Sequence, residues 1–348
     1  MPVFNEEQLY ELGFRILCGA GVNPDEAAIV AGELRDANLV GHDSHGVMRL
    51  MQYAEHINDG YIKPGGAFEI VKDQPAFALI DGHFNFGQVS ATKALRLGIG
   101  KARKSGTATV MIRNCNHVGR LGSYSQKAAR EGLACMMAVN APGPGGVAPF
   151  GGIDRCLGTN PISMSAPWGE DAFVLDMTTS ATAEGKVRVA FQKGEQLPEG
   201  WLIDAEGNPS TNPADLYADP PGALLPLGGP LAFKGYGMSV MVDVFSGMLS
   251  GSGVCRTDLP RGANGVWMYF LDVDQFLPRK EFDALLEKYV ESIKGSRKAP
   301  GVDEILMPGE IELRRQRQRS NGGVEVPEET WRQIRELADS LSVSLDDV

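Results

Sequence analysis

The chain has 348 residues and contains few cysteines, few histidines and no long apolar run. Its five cysteines are scattered, odd in number and include no C-x-x-C pair, which argues against a disulfide framework and favours a reducing compartment. The first residues, "MPVFNEEQLYELGF", lack the basic region of a secretory signal. No apolar run approaches the roughly 18 residues of a membrane span. We therefore predict a cytoplasmic protein with no membrane partner.

Basic residues are outnumbered by acidic residues. There are 33 Lys and Arg residues against 44 Asp and Glu residues, which gives a formal net charge of −11. Nucleic acid is therefore not expected as a partner, because phosphate binding needs a basic surface. The basic run "RRQRQR" (314–319) has no interleaved aromatic residues and is interpreted as a solvated face. A small-molecule partner fits this composition better.

The usual nucleotide-binding motifs are missing as well. The stretches closest to G-x-G-x-x-G, "GPGGVA" (143–148) and "GSGVCR" (251–256), both lack the third glycine. A doubly wound dinucleotide fold is therefore not expected. What is present is a β-rich stretch at 107–114, followed by the glycine-rich "NHVGRLGSYS" (116–125) and a helical pattern. Such a turn is either an anion site, to which Arg120 adds charge, or an ordinary tight connection.

Helical patterns flank a β-rich middle of the chain, which predicts a discontinuous helical domain. A helix at 236–251 is apolar nearly all round, so we expect it to be buried. The predicted helical segments are 23–41, 45–59, 87–106, 278–295 and 327–341, and the predicted strands are 75–82, 107–114, 133–140, 172–177 and 265–273. The predicted boundaries are 1–70 and 276–348 for the two halves of the helical domain, 71–125 for a small α/β subdomain, and 126–275 for a β-rich nucleotide-binding domain.

The stretch "GHDSHGVMRL" (41–50) holds two of the five histidines. Three interpretations stay open. In the first, His42 and His45 share a face and bind a metal with His117 or Asp43. In the second, Asp43 or Ser44 simply caps a helix.

The third interpretation is an acid–base site. A helix beginning at Ser44 would place His45 in its first turn and Arg49 one turn later on the same face. The helix dipole would then lower the pKa of His45. A guanidinium beside a proton donor suits reduction of a 2-oxo acid, because one group holds the carboxylate and the other protonates the oxygen.

Ten stretches, in this order, resemble one family. They are "GHDSHGVMR", "NHVGRLGSYS", "APFGG", "LGTNP", "LDMTTS", "GK" at 185–186, "LPEGWLIDAEGNPSTNP", "LPLGG", "KGYG" and "MPGE". The chain is similar, over about residues 5 to 345, to the malate/L-lactate dehydrogenase-like family, also called sulfolactate dehydrogenase-like. The stretches "ANLVGHDSHG", "GQV", "APFGG" and "LMPGEIELRRQRQ" most resemble the hydroxycarboxylate dehydrogenase B subgroup.

The resemblance implies a homodimeric, NAD- or NADP-dependent oxidoreductase acting on a small 2-oxo acid, or on the 2-hydroxy acid in reverse. It implies an α/β fold that is not a Rossmann fold, with a mixed β-sheet nucleotide domain and a discontinuous helical domain. It makes His45 the proton donor, Ser44 its partner, Arg49 the carboxylate ligand and His117 a catalytic residue on the substrate side, with no metal. The cofactor residues that it implies are His45, Gly119, Arg120, Leu121, Thr159, Val174, Leu175, Asp176, Met177, Thr178, Lys186, Phe233, Lys234, Gly235, Gly309, Glu310, Ile311 and Glu312.

Three alternatives accompany this hypothesis. Within the same family, the substrate could be a cyclic 2-imino acid. In another class, His42, His45 and His117 would serve a metal-dependent hydrolase. A third possibility is a protein that binds the nucleotide but catalyses nothing. A substrate screen, chelator sensitivity and nucleotide binding without turnover separate the three.

Overall fold

A seven-stranded mixed sheet forms the centre of the protein in the computed structural model, which describes residues 1–256 and 262–345. Its strands are β2 (Glu69–Gln74), β3 (Phe77–Asp81), β4 (Thr107–Cys115), β5 (Leu133–Asn140), β6 (Ile162–Trp168), β7 (Asp171–Met177) and β11 (Asn264–Asp272). Their order is β2-β3-β4-β11-β5-β6-β7. Only the β3–β4 pair is parallel. Because a doubly wound sheet is mostly parallel, this order confirms the prediction of a non-Rossmann α/β fold.

Short strands complete the β-structure. β1 (Val3–Phe4) pairs with β12 (Val324–Glu325), and β8 (Leu202–Ile203) lies between β9 (Pro209–Ser210) and β10 (Ala223–Leu224). The helices are α1 (Glu6–Gly19), α2 (Pro24–Leu39), α3 (Leu50–Asn58), α4 (Gly87–Ser105), α5 (Leu121–Arg130), α6 (Glu184–Lys193), α7 (Phe233–Val242), α8 (Val273–Phe276), α9 (Arg279–Lys294), α10 (Glu310–Gly322) and α11 (Glu328–Ser340).

Alternating residues explain how the sheet packs. In β4, Ala108, Val110 and Ile112 are fully buried, whereas the residues between them are partly exposed. The period of two turns one face of the strand toward α4 and α5, whose alanines complete the same core. That core holds residues from both sides of position 125, so one sheet spans this predicted boundary. The boundaries at 70, 125 and 275 stay predictions.

The two ends of the chain pack together in a second core. Leu9, Leu34 and Tyr53 from the first helices share it with Ile334 and Ala338 of α11. This packing confirms the discontinuous helical part of the fold. No helix in the described part of the chain is both long and apolar enough to cross a bilayer.

Helix α2 begins and ends as predicted. The side chain of Asn23 accepts a hydrogen bond from the backbone N–H of Glu26 at 3.1 Å, and Pro24 occupies the first helical position. Gly41, with φ of 86°, takes the left-handed conformation after the helix.

The prediction of a helix from His45 to Asp59 is wrong at its start. Two 3₁₀ turns, Asp43–His45 and Val47–Arg49, come before α3, and Gly46 between them is extended. The cause is Asn38, whose side chain accepts a hydrogen bond from the N–H of Val47 at 2.9 Å and would clash with any side chain at Gly46. Ser44 therefore caps no helix.

The prediction that helix 236–251 is buried is also wrong. α7 continues into a π-helical turn, Asp243–Met248, and only one side of this element packs on the protein. The other side exposes a set of large apolar residues, which we call the α7 apolar face: Phe233, Met238, Val240, Met241, Met248 and Leu249. An all-apolar sequence does not distinguish a fully buried helix from one with an uncovered face.

Candidate active site

A network around Asn38 holds the segment from His42 to Val47 in place. Asn38 is 4% exposed, and its Nδ2 donates to Asp43 Oδ1 at 2.8 Å. Arg319 of α10 donates to both carboxylate oxygens of Asp43, at 2.7 and 3.1 Å. Asp43, considered above as a helix cap or a metal ligand, thus connects the two halves of the helical part.

Three arginines of the basic run 314–319 are exposed as predicted, but Arg319 is half-buried.

The predicted partnership of Ser44 and His45 is present. Ser44 Oγ lies 3.0 Å from His45 Nδ1. Burial lowers the pKa of His45 to about 3, assisted by the charges of Arg49, His42 and Arg120. The direction agrees with the prediction, but the predicted cause is wrong because no helix dipole acts there. The imidazole is therefore neutral at pH 7.

Arg49 reaches the vicinity of His45 by another route than the predicted helix face. Its Nε donates to the backbone oxygen of Ser44 at 2.6 Å, and its Nη1 donates to Gln52 Oε1 at 2.5 Å. These bonds orient the guanidinium, which lies close enough to lower the pKa of His45. The half-buried Arg49 can thus present positive charge beside the imidazole.

His117 comes from the loop after β4 and lies beside His45. The two imidazole rings stack with 5.4 Å between centroids and 23° between planes. The hydroxyl of Tyr53 is 2.8 Å from His117 Nδ1. Gly87 at the start of α4 allows this approach, since a Cβ there would lie 2.4 Å from the backbone oxygen of His117.

His42 points elsewhere. Its Nε2 lies 3.5 Å from Glu312 Oε1 on α10, and this contact is the main cause that lowers the pKa of Glu312. Within residues 1–256 and 262–345, no three His, Cys, Asp or Glu side chains are placed to hold a metal ion. The structure therefore does not join His42, His45 and His117 into the ligand set of the hydrolase alternative.

The glycine-rich turn before α5 already holds an anionic side chain. Asp176 Oδ2 accepts from the N–H of Gly122 at 2.8 Å and lies 3.4 Å from Arg120 Nε. The side chain of Arg120 is 4% exposed, and in the described structure its Nε makes an ion pair without a well-aligned hydrogen bond. The N–H of Gly122, which we expected to be available to a phosphate, thus donates to Asp176 instead. Gly119, with φ of 78°, and Leu121 flank Arg120.

Several of the remaining segments that the resemblance implies contact one another in pairs. The N–H of Val174 donates to the backbone oxygen of Pro308 at 3.2 Å, and Gly309 packs against Val174. Gly185, next to Lys186, lies close to Ser44, since a Cβ added at Gly185 would be at the ordinary contact distance of 3.5 Å from Ser44 Cβ. The backbone of Thr159 accepts from the N–H of Thr179 at 3.0 Å, and Gly235 packs on the Thr179 carbonyl. Glu310 binds Lys294 at 2.5 Å, whereas Phe233, Lys234 and Ile311 are exposed.

Four residues near the site are absent from the sequence-based set: Asn38, Tyr53, Gln88 and Arg319. Tyr53 lies one turn beyond Arg49, which is a local signal that could have suggested it. Gln88 lies in the "GQV" stretch used for the resemblance. Asn38 and Arg319 act through the fold and carry no local signal.

Comparison with known proteins gives this geometry a context. The malate/L-lactate dehydrogenase family matches residues 4–335. A malate dehydrogenase from Pyrococcus horikoshii is 37% identical over 346 residues, covering 97% of this chain and 95% of that protein. Hydroxycarboxylate dehydrogenase B from Escherichia coli O157:H7 is 33% identical over 347 residues, covering 98% and 94%.

A solved structure extends the similarity to the fold. Sulfolactate dehydrogenase from Methanocaldococcus jannaschii superposes with a TM-score of 0.89 at 34% identity, covering 99% of both chains. The family match spans nearly the whole chain, and both curated relatives exceed 30% identity over nearly all of it. The chain belongs to the malate/L-lactate dehydrogenase family and is a hydroxy acid dehydrogenase.

Proposed function

We propose that this protein reduces a small 2-oxo acid with NADH or NADPH, and oxidises the 2-hydroxy acid in reverse. The observation that carries the proposal is the stacking of the His45 ring on the His117 ring, with Arg49 bonded to the backbone oxygen of the adjacent Ser44. A carboxylate ligand beside a proton donor is what this substrate class needs.

The residues around Arg120 fit a dinucleotide. The buried guanidinium of Arg120, which forms an ion pair with Asp176 and has no well-aligned hydrogen bond at Nε, brings positive charge to a turn before a helix, where an anionic ligand is favoured. When bound, the cofactor would supply the hydride to C2 of the substrate. We propose that it is held by Gly119–Leu121, Thr159, Val174–Thr178, Lys186, Phe233–Gly235 and Gly309–Glu312.

Substrate binding prepares His45 for proton transfer. Burial is the main cause of the low pKa of His45, and the substrate carboxylate, held by Arg49, would offset the further lowering that nearby positive charge adds. The pKa of His45 then rises, and the ring takes up a proton together with the acid. As hydride reaches C2, this proton moves from His45 to the carbonyl oxygen, while Ser44 holds Nδ1.

We also propose that two copies of this chain form a homodimer through the α7 apolar face. Exposed apolar patches of this kind mark protein contacts, and identical copies usually associate about a two-fold axis. Phe233 belongs to both the α7 apolar face and the proposed cofactor segment, so the dimer would adjoin the site.

All five cysteines are free, which supports a reducing, cytoplasmic setting.

A substrate screen tests the proposed reaction. Purified protein is offered small 2-oxo acids and cyclic 2-imino acids with NADH and with NADPH, and nicotinamide absorbance is followed. We expect oxidation of at least one cofactor with a 2-oxo acid. Turnover of imino acids alone would move the function to the alternative substrate class. No turnover and no nucleotide binding would reject the proposal.

A further inference from the structure

A chain of hydrogen bonds runs from a buried amide to the ring of His117. Gln88 Nε2 donates to the hydroxyl oxygen of Tyr53 at 2.6 Å, and this hydroxyl is 2.8 Å from His117 Nδ1. Gln88 and Tyr53 are both fully buried. Neither is part of the site set that the family resemblance implies.

The chemistry of these groups sets the direction of each bond. A carboxamide nitrogen can only donate, so the oxygen of Tyr53 accepts from Gln88. The single hydroxyl hydrogen of Tyr53 then points to His117 Nδ1, which accepts it. Burial raises the pKa of Tyr53 to about 12, so the hydroxyl keeps this hydrogen. In a neutral ring whose Nδ1 accepts, the hydrogen is on Nε2.

We infer that Gln88 and Tyr53 are positioning residues that hold His117 as the Nε2–H tautomer. This inference rests on the proposed function, in which His117 acts on the substrate side. His117 then offers a hydrogen-bond donor to the oxygen that receives the proton of His45. The opposite tautomer would direct a lone pair at that oxygen and oppose the build-up of negative charge there.

The cost of the arrangement supports a functional role. In the described structure, the buried Oε1 of Gln88 has no hydrogen-bond partner. A buried polar atom left unpaired is costly, and each one in a native protein needs an explanation, of which a catalytic role is one and a bound water another. The Nε2 of Gln88 thus donates to Tyr53, whereas its Oε1 has no partner among the described residues.

The first test reads the tautomer directly. Full-length protein labelled with ¹⁵N-histidine is studied by long-range ¹H–¹⁵N correlation, and His117→Gln assigns the signal. We expect wild-type His117 to carry its hydrogen on Nε2. Tyr53→Phe and Gln88→Met should lose this preference and give a mixture of tautomers. Wild-type protein with the hydrogen on Nδ1, or variants that keep the wild-type spectrum, would overturn the inference.

The second test is kinetic. Hydrogen-bonding partners that orient metal-bound histidines typically contribute about 10- to 100-fold to activity, and we expect an effect of similar size for a histidine oriented on a substrate. Tyr53→Phe should lower kcat by about that factor, with a smaller change in KM for the acid, and Gln88→Met should act in the same direction. Tyr124→Phe is the matched control, because it removes another buried hydroxyl, which donates to the Val118 carbonyl at 2.6 Å.

The control separates stability from positioning. Tyr124→Phe should lower the melting temperature about as much as Tyr53→Phe but keep the wild-type tautomer and a kcat close to wild type. Equal kcat losses in both variants would overturn the inference. If the wild-type protein reduces no acid, the proposed function fails, whereas the tautomer measurement still tests Gln88 and Tyr53, since it needs no turnover.

Discussion

The rings of His45 and His117 stack with their centroids 5.4 Å apart, although one comes from a 3₁₀ turn and the other from the loop after β4. The two histidines have different partners. Ser44 holds Nδ1 of the first, and Tyr53 holds Nδ1 of the second. Each ring thus has a hydrogen-bonding partner at Nδ1. This arrangement suits a pair that shares one substrate oxygen.

Arg49→Lys should weaken binding of the acid more than it slows turnover. A lysine keeps the charge but cannot hold a carboxylate with two parallel hydrogen bonds. Loss of a hydrogen bond to a charged group typically costs about 1.5–3 kcal/mol, so KM should rise about 10- to 100-fold. Steady-state kinetics would show this change, while nucleotide affinity, measured by fluorescence, should stay near wild type. A change in nucleotide affinity instead of KM would contradict the assignment.

The low pKa of His45 predicts how stability depends on pH. The folded ring takes up a proton near pH 3, whereas an ordinary imidazole does so near pH 6.5. Between these values the unfolded chain binds more protons, so the free energy of unfolding falls as the pH is lowered. One such group contributes at most about 1.4 kcal/mol per pH unit.

His45→Gln provides the comparison for this pH effect. Urea unfolding at pH 6.5 and pH 4.5 should show a smaller loss of stability for the variant than for the wild type, because other titrating groups are common to both. Equal losses would mean that His45 titrates normally in the folded protein.

A charge placed on the α7 apolar face should dissociate the proposed dimer. Met248 is exposed in the single chain, so Met248→Glu should fold normally but would bury a carboxylate in the dimer. Light scattering of the wild type should give twice the chain mass of 37.4 kDa, and the variant should give a value near the chain mass. A wild-type mass near that of one chain would refute the homodimer.

Metal removal should leave activity unchanged. His42 contacts Glu312, and His45 stacks on His117, so the described residues offer no joint site for these three side chains. Dialysis against a chelator should therefore preserve the rate of nicotinamide oxidation. Activity that disappears with chelator and returns with zinc would contradict this prediction and show that the reaction needs a metal.

Local patterns predicted much of the fold. Asn23 and Pro24 mark the start of α2, and the alternation in β4 marks a strand with one buried face. The contact between Ser44 and His45, which the family resemblance implied, also joins adjacent residues. These features depend on neighbours in sequence, so the sequence alone was enough.

Features that depend on distant residues could not be predicted in this way. The 3₁₀ turns around His45 form because Asn38 binds the N–H of Val47, and Arg319 adds a bond to Asp43 from the far end of the chain. Asp176, which belongs to the distant strand β7, accepts a hydrogen bond from the N–H of Gly122 at the start of α5. None of these contacts has a periodic pattern or a local spacing that would reveal it.

The most direct test of the central claim compares wild-type protein with His45→Ala on whichever 2-oxo acid the screen identifies. General acid catalysis contributes about 10²- to 10⁴-fold, so kcat for reduction should fall by that factor. His83→Asn, at an exposed histidine bonded to Glu69, serves as the control and should keep the wild-type rate. Unchanged nucleotide affinity and melting temperature would show that His45→Ala leaves the fold intact. A His45→Ala variant that keeps most of its kcat would contradict the account and make His117 the proton donor.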